Sequence, residues 1–372
     1  MFNLSRRVLR IVLLACLLVS APMSVAAEIR VGESIDLTGA NGDLGKDFLA
    51  GARVYFDYIN SNGGVRGKKI VLDARDNQGS VEKSNQITQD FLGKDKVDVL
   101  FGYYGDGIVE AAVANPAFIR ADMALVAPFS GVSLAKPGNV YFMRPSYAQE
   151  VKAVLDYVKT LGLTKIAVVY SPNEYGNSGM IAVKNALRGF GVQLVAEQSL
   201  RENNTADMTS AIQKIKLGGA QATLMIMETL PAAAFVKTYH PLSPGALLLG
   251  LSQINHQTLI EVAGKSAAAG IVITQVVPHP SNFRMETVRE LDKIMKKYRD
   301  EAPSHLTMEG YLAAKWLVKA LMQVEAPKQL NQTLAQTRHL DLGGFYLNVN
   351  SSHRASEYID ITAISTRGGL LH

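Results

Sequence analysis

VDVLFGYYGDGIVEAAV, residues 97–113, decides how this chain is read. Val97 to Phe101 is a short apolar strand, and Gly102-Tyr-Tyr-Gly105 is a loop bounded by glycines. A helix opens at Asp106, with Ile108, Ala111 and Ala112 on one face. Asp is a favoured N-cap residue, because its carboxylate accepts from the free N–H groups of a first helical turn. Those same N–H groups and the helix dipole usually make such a loop a seat for anions. Asp106 is itself an anion, so the loop raises the question of what it is built to meet.

The strand–loop–helix unit repeats in both directions. Strand 28–37 precedes a helix over 45–59 with Leu49, Ala52, Phe56 and Ile59 inward. The turn Asn62-GGVRGKK-69 leads to strand 70–74, helix 80–93, strand 97–101, helix 106–120 and strand 123–127. After Tyr147 the rhythm restarts: helix 148–161, strand Lys165-IAVVY-170, helix 175–190, strand 192–198 and helix 206–217. Strand 221–227, helix 231–240, strand 246–250, helix 255–263 and strand 270–280 follow, then helices 283–300 and 307–324. A final strand, 357–364, stands alone. Short apolar strands separated by amphipathic helices predict parallel sheets covered on both faces. The fold class is therefore α/β, with two doubly wound Rossmann-like lobes. No low-complexity linker separates them, so crossing hinge strands are expected in place of a flexible tether. The division predicted is 28–146 plus 277–348 for lobe one, and 147–276 plus 349–372 for lobe two. Ligands of open α/β sheets sit beyond the carboxyl ends of the strands, which here defines a cleft.

The first 27 residues read as a signal peptide. Arg6, Arg7 and Arg10 precede an apolar run from Ile11 to Val19, and Val25-Ala26-Ala27 is a small-residue cleavage site before Glu28. Cys16 lies mid-way through the apolar run, with Leu17-Leu-Val still to follow, which disfavours lipidation there. Processing leaves 345 residues with 35 basic and 33 acidic side chains, so the pI of about 9 overstates the basicity of the working protein. No Lys/Arg run interleaves with aromatics, so nucleic acid is not an expected partner. Cys16 is the only cysteine, and no disulfide or thiol chemistry is expected after processing. The seven histidines show no metal-ligand spacing. There is no G-x-S-x-G elbow, Walker loop or G-x-G-x-x-G after a strand. Ser133-Leu-Ala-Lys136 matches S-x-x-K, but Pro137-Gly138 would break the helix that motif needs. No catalytic residue, metal site or cofactor is assigned, and the reading is not an enzyme.

Several stretches, in this order and spacing, resemble one family. They are Asp36-LTG-39, Asn60-SNGGVRGKK-69, Phe101-GYYG-105, Ala127-PFSG-131, Arg144-PSYAQE-150, Thr274-QVVP-278, Met308-EGYLAAK-315 and Leu342-GGF-345. The chain is similar across 28–365 to type I periplasmic solute-binding proteins of the leucine/isoleucine/valine branch. The resemblance implies a monomer in the periplasm that closes two lobes over a small amino-acid-like or amide ligand. It also implies delivery to an ABC permease in the inner membrane. A sensing role, in which the closed form is presented to a membrane-bound sensor, is the alternative, and sequence does not separate the two.

The resemblance also carries a pocket. In lobe one it implies Asp106 and the loop Phe129, Ser130 and Gly131, with Asp106 where relatives place a hydroxyl for the ligand carboxylate. In lobe two it implies Tyr175 as an aromatic wall, Thr229 where amino-acid binders often place an aromatic or polar residue, and Ser252 where they place an ammonium-binding acid. Two departures stand out: an acid replaces the lobe-one hydroxyl, and a serine replaces the lobe-two acid. Asp106 either caps its helix or accepts from a donor on the ligand, an ammonium or an amide. Glu228 either joins it or is a solvated strand-end charge. Tyr103 and Tyr104 either pack at the strand end or line the cleft, and Trp316 reads as helix core.

Overall fold

The computed structural model describes residues 28–299 and 302–371. The signal peptide expected over 1–27 lies outside the described residues. Strands β1 (Glu28–Ile35), β2 (Lys69–Asp76), β3 (Val99–Phe101), β4 (Leu125–Val126) and β5 (Val140–Tyr141) form a parallel sheet in the order β2-β1-β3-β4-β5. Its helices are α1 (Gly42–Ser61), α2 (Val81–Gly93), α3 (Asp106–Ala114) and α4 (Pro116–Ala121). The second sheet holds β6 (Lys165–Tyr170), β7 (Gln193–Ser199), β8 (Ala222–Ile226), β9 (Leu247–Gly250) and β10 (Val272–Gln275). Helices α5 (Tyr147–Thr160), α6 (Glu174–Ala186), α7 (Thr205–Gly218), α8 (Thr229–Tyr239), α9 (His256–Ala263) and α10 (Lys265–Ala268) belong to this half. Then come α11 (Glu286–Tyr298), α12 (His305–Leu321), α13 (Leu330–Ala335), the small ribbon β11 (Leu340–Asp341) with β12 (Tyr346–Leu347), β13 (Asp360–Ile364) and β14 (Leu370–Leu371).

Two expectations are corrected. The final strand does not stand alone: β13 runs antiparallel to β10, and β14 folds back on β13, giving the order β14-β13-β10-β9-β8-β6-β7. A tight turn brings β14 back onto β13, with Ser365 N–H donating to Gly369 O at 2.7 Å and Gly368 at φ 93°. A turn this short can join only antiparallel strands. The helix expected over 106–120 is two helices. Pro116 drives Asn115 into an extended conformation (φ −71°, ψ 118°), and the Asn115 side chain caps the second helix from there.

Each sheet is buried on both faces, which is why inner strands such as β3, β8 and β9 carry at most one polar residue. On one face of the first sheet, Phe91, Leu100, Val109 and Phe118 pack together. The other face joins Phe48, Phe101 and Phe129 to Tyr311, Trp316 and Leu317 of α12. Segments from 277 to 355 thus return to build the core of the first sheet. The chain passes between sheets after β5, after β10 and before β13. Two of these crossings pair: Phe142 N–H donates to His353 O and Ala355 N–H to Phe142 O, both at 2.8 Å. Arg354 clamps the junction, its guanidinium 4.4 Å over the Phe142 ring and its Nη1 donating to Arg144 O at 2.9 Å.

Candidate functional site

Loops at the carboxyl ends of β3, β6, β8 and β9 converge on a cavity of about 180 Å³ between the lobes. Asn41, Gly79, Val81, Tyr104, Gly105, Asp106, Gly107 and Ile108 line it from the first lobe, and Asn173, Glu174, Tyr175, Glu228 and Gln253 from the second. A larger groove of about 400 Å³ lies at the far edge of the second sheet, beyond β7. Its Arg201–Asp207 pair is already matched at 2.7 Å, and all its lining residues come from the second half of the fold, so it lies outside the cleft where the two sheets' strand ends face each other.

Asp106 is not the N-cap of α3. Gly105 takes that position in a conformation (φ 107°, ψ 139°) that favours glycine, and no side chain caps the helix. Asp106 is instead the first helical residue, 4 % exposed, with its carboxylate turned to the cleft. Its Oδ1 accepts from Ser130 Oγ at 2.5 Å and from the Tyr147 hydroxyl at 2.8 Å, while Oδ2 is buried without a hydrogen-bond partner. Burial pushes the carboxyl up to about 6, although the two hydroxyls and Arg144 pull it down.

A relay joins the lobes beside it. Gln253 Nε2 donates to the Tyr147 hydroxyl at 2.7 Å, and the Tyr104 hydroxyl donates to Gln253 Oε1 at 3.2 Å. Burial raises Tyr104, Tyr147 and Tyr175 well above the ordinary phenol range, so all three act as neutral groups. The Tyr175 hydroxyl is buried without a hydrogen-bond partner. Glu228 is 7 % exposed: Asn173 Nδ2 donates to its Oε1 at 2.7 Å and Ser171 Oγ to its Oε2 at 3.0 Å.

Of the residues named from sequence, Tyr104, Asp106, Tyr175 and Glu228 line the cavity. The other five stand behind them. Phe129 is sandwiched between Tyr104 (ring centroids 5.1 Å apart) and Phe48 (5.5 Å), with the Arg144 guanidinium 4.4 Å from its ring. Ser130 holds Asp106, and Ala127 just before this loop sits in the left-handed region at φ 50°. Gly131 lets Tyr147 reach Asp106, since a Cβ there would meet the Tyr147 ring at 2.5 Å. Thr229 opens α8 and accepts from Asn255 N–H at 3.1 Å. Ser252 accepts from Arg144 Nη2 at 2.5 Å and donates its backbone N–H to Glu150 at 2.9 Å. Tyr103 is fully buried and bonded to Thr88, off the cavity.

Sequence reading missed Tyr147, Gln253, Asn173, Glu174 and Arg144. Tyr147 follows Ser146, whose capping box with Gln149 starts α5, and that local signal marked a helix start without marking a site. Arg144 lies buried under the cleft, 3.4 Å from Glu309, whose carboxyl burial pushes up to about 7 despite the guanidinium. His256, His279 and His305 also meet in space, edge to face, though far apart in sequence. Among the described residues no group of His, Cys, Asp and Glu is arranged to hold a metal.

Two doubly wound α/β lobes, joined by paired crossings and meeting over a cavity at their strand ends, define a bilobal solute-binding fold. The chain belongs to the Periplasmic binding protein family, whose profile matches residues 28–368. It is 26% identical over 329 residues to Leu/Ile/Val-binding protein homolog 7 of Brucella abortus, covering 82% of this chain and 79% of the relative. A substrate-binding periplasmic protein from Ralstonia solanacearum superposes with a TM-score of 0.84 at 29% identity, covering 92% of this chain and 99% of that one. The branched-chain amino acid transporter substrate binding protein of Streptococcus pneumoniae, solved with isoleucine, shares the fold with a TM-score of 0.82 at 19% identity, covering 92% and 97% of the two chains.

Proposed function

We propose that this protein is the extracytoplasmic substrate-binding component of an ABC importer. It takes a small amino-acid-like or amide solute between its lobes in the periplasm and hands it to a permease in the inner membrane, with no bond made or broken. Family membership and the Leu/Ile/Val-binding relatives support the role. The two lobes of this reading are 28–146 with 277–348, and 147–276 with 349–372, the last segment opening with a crossing whose Val349 and Ala355 still pack in the first core. Ligand contacts fall to Tyr104, Asp106, Tyr175 and Glu228, which line the cavity, while Phe129, Ser130, Gly131, Thr229 and Ser252 hold those contacts in place.

The observation that carries the ligand reading is the buried, unpartnered Oδ2 of Asp106 on the cavity wall. Such an acceptor is costly unless a donor meets it, and an ionised acceptor makes the stronger hydrogen bond. The solute therefore presents a donor, an ammonium or an amide, to the start of α3. Calorimetry on wild type and Asp106→Thr with a matched amide and acid pair tests this. The wild type is expected to prefer the amide, and the variant to lose affinity for it while gaining affinity for the acid. Identical ranking and equal affinity in the two proteins would leave Asp106 without a role in recognition.

A further inference from the structure

We infer that, of the two donors named above, the ammonium class is the one used and that the solute is narrower than an amino acid or a neutral amide: a small organic cation lacking a carboxylate, a primary amine or guanidine, gripped between carboxylates of both lobes. This rests on the cleft being the solute site. Asp106 of the first lobe and Glu174 and Glu228 of the second line one cavity, whose described lining contains no Lys, Arg or His. The donors on Glu228 are the neutral Asn173 amide and Ser171 hydroxyl, which fix its orientation without cancelling its charge. The donors on Asp106 are hydroxyls as well, and they leave Oδ2 open.

The buried cations nearby are committed elsewhere. Arg144 is absent from the cavity lining: its Nη2 donates to Ser252, its Nε lies 3.4 Å from Glu309 and its guanidinium sits against the Phe129 ring, while Nη1 is buried without a hydrogen-bond partner; Arg354 is bonded to the carbonyls of Arg144 and Val132. A ligand carboxylate would enter beside like charges in a partly desolvated site with no basic partner, whereas a cation would meet opposite charge from both sides. The rest of the wall suits a cation as well. Tyr104 and Tyr175 offer aromatic faces, and the Tyr175 hydroxyl is a buried neutral acceptor without a partner. A cavity of about 180 Å³ has room for about six waters, so the cation is short.

Calorimetry on the exported protein with 1,4-diaminobutane, norvaline and pentanamide separates the possibilities. The diamine is expected to bind at pH 7.5, with norvaline and pentanamide at least tenfold weaker. Asp106→Asn and Glu228→Gln should each weaken the diamine at least tenfold, and thermal melts establish that both variants are folded. Lowering the pH to 5 should weaken diamine binding to wild type, because Asp106 takes up a proton near pH 6, and should change Asp106→Asn little. Norvaline or pentanamide binding as tightly as the diamine would overturn the cation assignment and leave solute capture standing. No binding by any of the three at millimolar concentration would overturn both.

Discussion

At the scale of single residues, Asp106 is a carboxylate held where folding alone would not put one. Burial raises it from 3.8 to about 6, so the folded protein holds this proton more tightly than the unfolded chain. The sign of the linkage follows: this group favours the folded state below pH 4, and that advantage is lost as pH rises toward 6. Asp106→Asn keeps an oxygen for Ser130 and Tyr147 but removes the charge. It should stabilise the ligand-free protein at pH 7.5 by roughly 3 kcal/mol and change little at pH 4. Urea unfolding at the two pH values measures this, and an equal effect at both would mean the carboxylate is not desolvated. A residue kept against stability in this way is typical of a binding site. The residue type was legible in the sequence and prompted the right question. Its position one residue inside the helix was not, because the N-cap depends on the φ of Gly105 and not on residue type alone.

At the scale of elements, α1 and α12 are the most intimately packed pair in the first lobe, and two glycines set their distance. A Cβ on Gly51 would lie 1.9 Å from Thr307 O, and one on Gly310 would lie 1.9 Å from Phe48 O. Alanine ordinarily favours a helix over glycine by about 1 kcal/mol. Here the obstruction is backbone, which cannot swing aside as a side chain would, so overpacking outweighs propensity. Gly310→Ala should destabilise by about 1–3 kcal/mol in urea unfolding. Gly93, in the last turn of α2 with nothing within 4 Å of its would-be Cβ, is the control and should tolerate alanine without loss. Equal tolerance at both positions would show that the two helices can part at little cost. Periodicity located both helices closely. That their backbones touch at Gly310 was beyond it, because a glycine in a helix signals either weakness or close approach, and only the partner helix distinguishes these.

At the scale of the whole molecule, the lobes are joined by the paired crossings at Phe142 and His353–Ala355 and touch across the cleft at few polar points. These include Tyr104–Gln253 at 3.2 Å and Asp47–Asn255 at 3.4 Å. Each is a modest net contribution, so solute binding is left to decide how tightly the lobes close. Small-angle scattering should show a more compact particle once the solute identified by calorimetry is saturating. At a hundredfold excess over Kd the bound form should gain about 2.7 kcal/mol of stability. An unchanged scattering profile at saturation would argue against hinge closure. Trp316 is fully buried in the α12 core, so its fluorescence should stay constant while the scattering changes.

Local chemistry determined much of this protein in advance. The alternation of short apolar strands with amphipathic helices specified two doubly wound lobes, because a strand buried on both faces has no place for polar residues. Glycine-bounded loops stood at strand ends, and one of them, Gly102 to Gly105, leads into Asp106 on the cavity wall. What tertiary structure alone decided was which residues meet. The antiparallel pairing of β13 with β10 depends on the course of the chain between them, and periodicity is silent about strand direction. Tyr147 reaches Asp106 only because Gly131 lacks a side chain, and Gln253 reaches Tyr104 only because the lobes face each other. These contacts span 41 and 149 residues of chain, and no local pattern in a sequence encodes a distance of that kind.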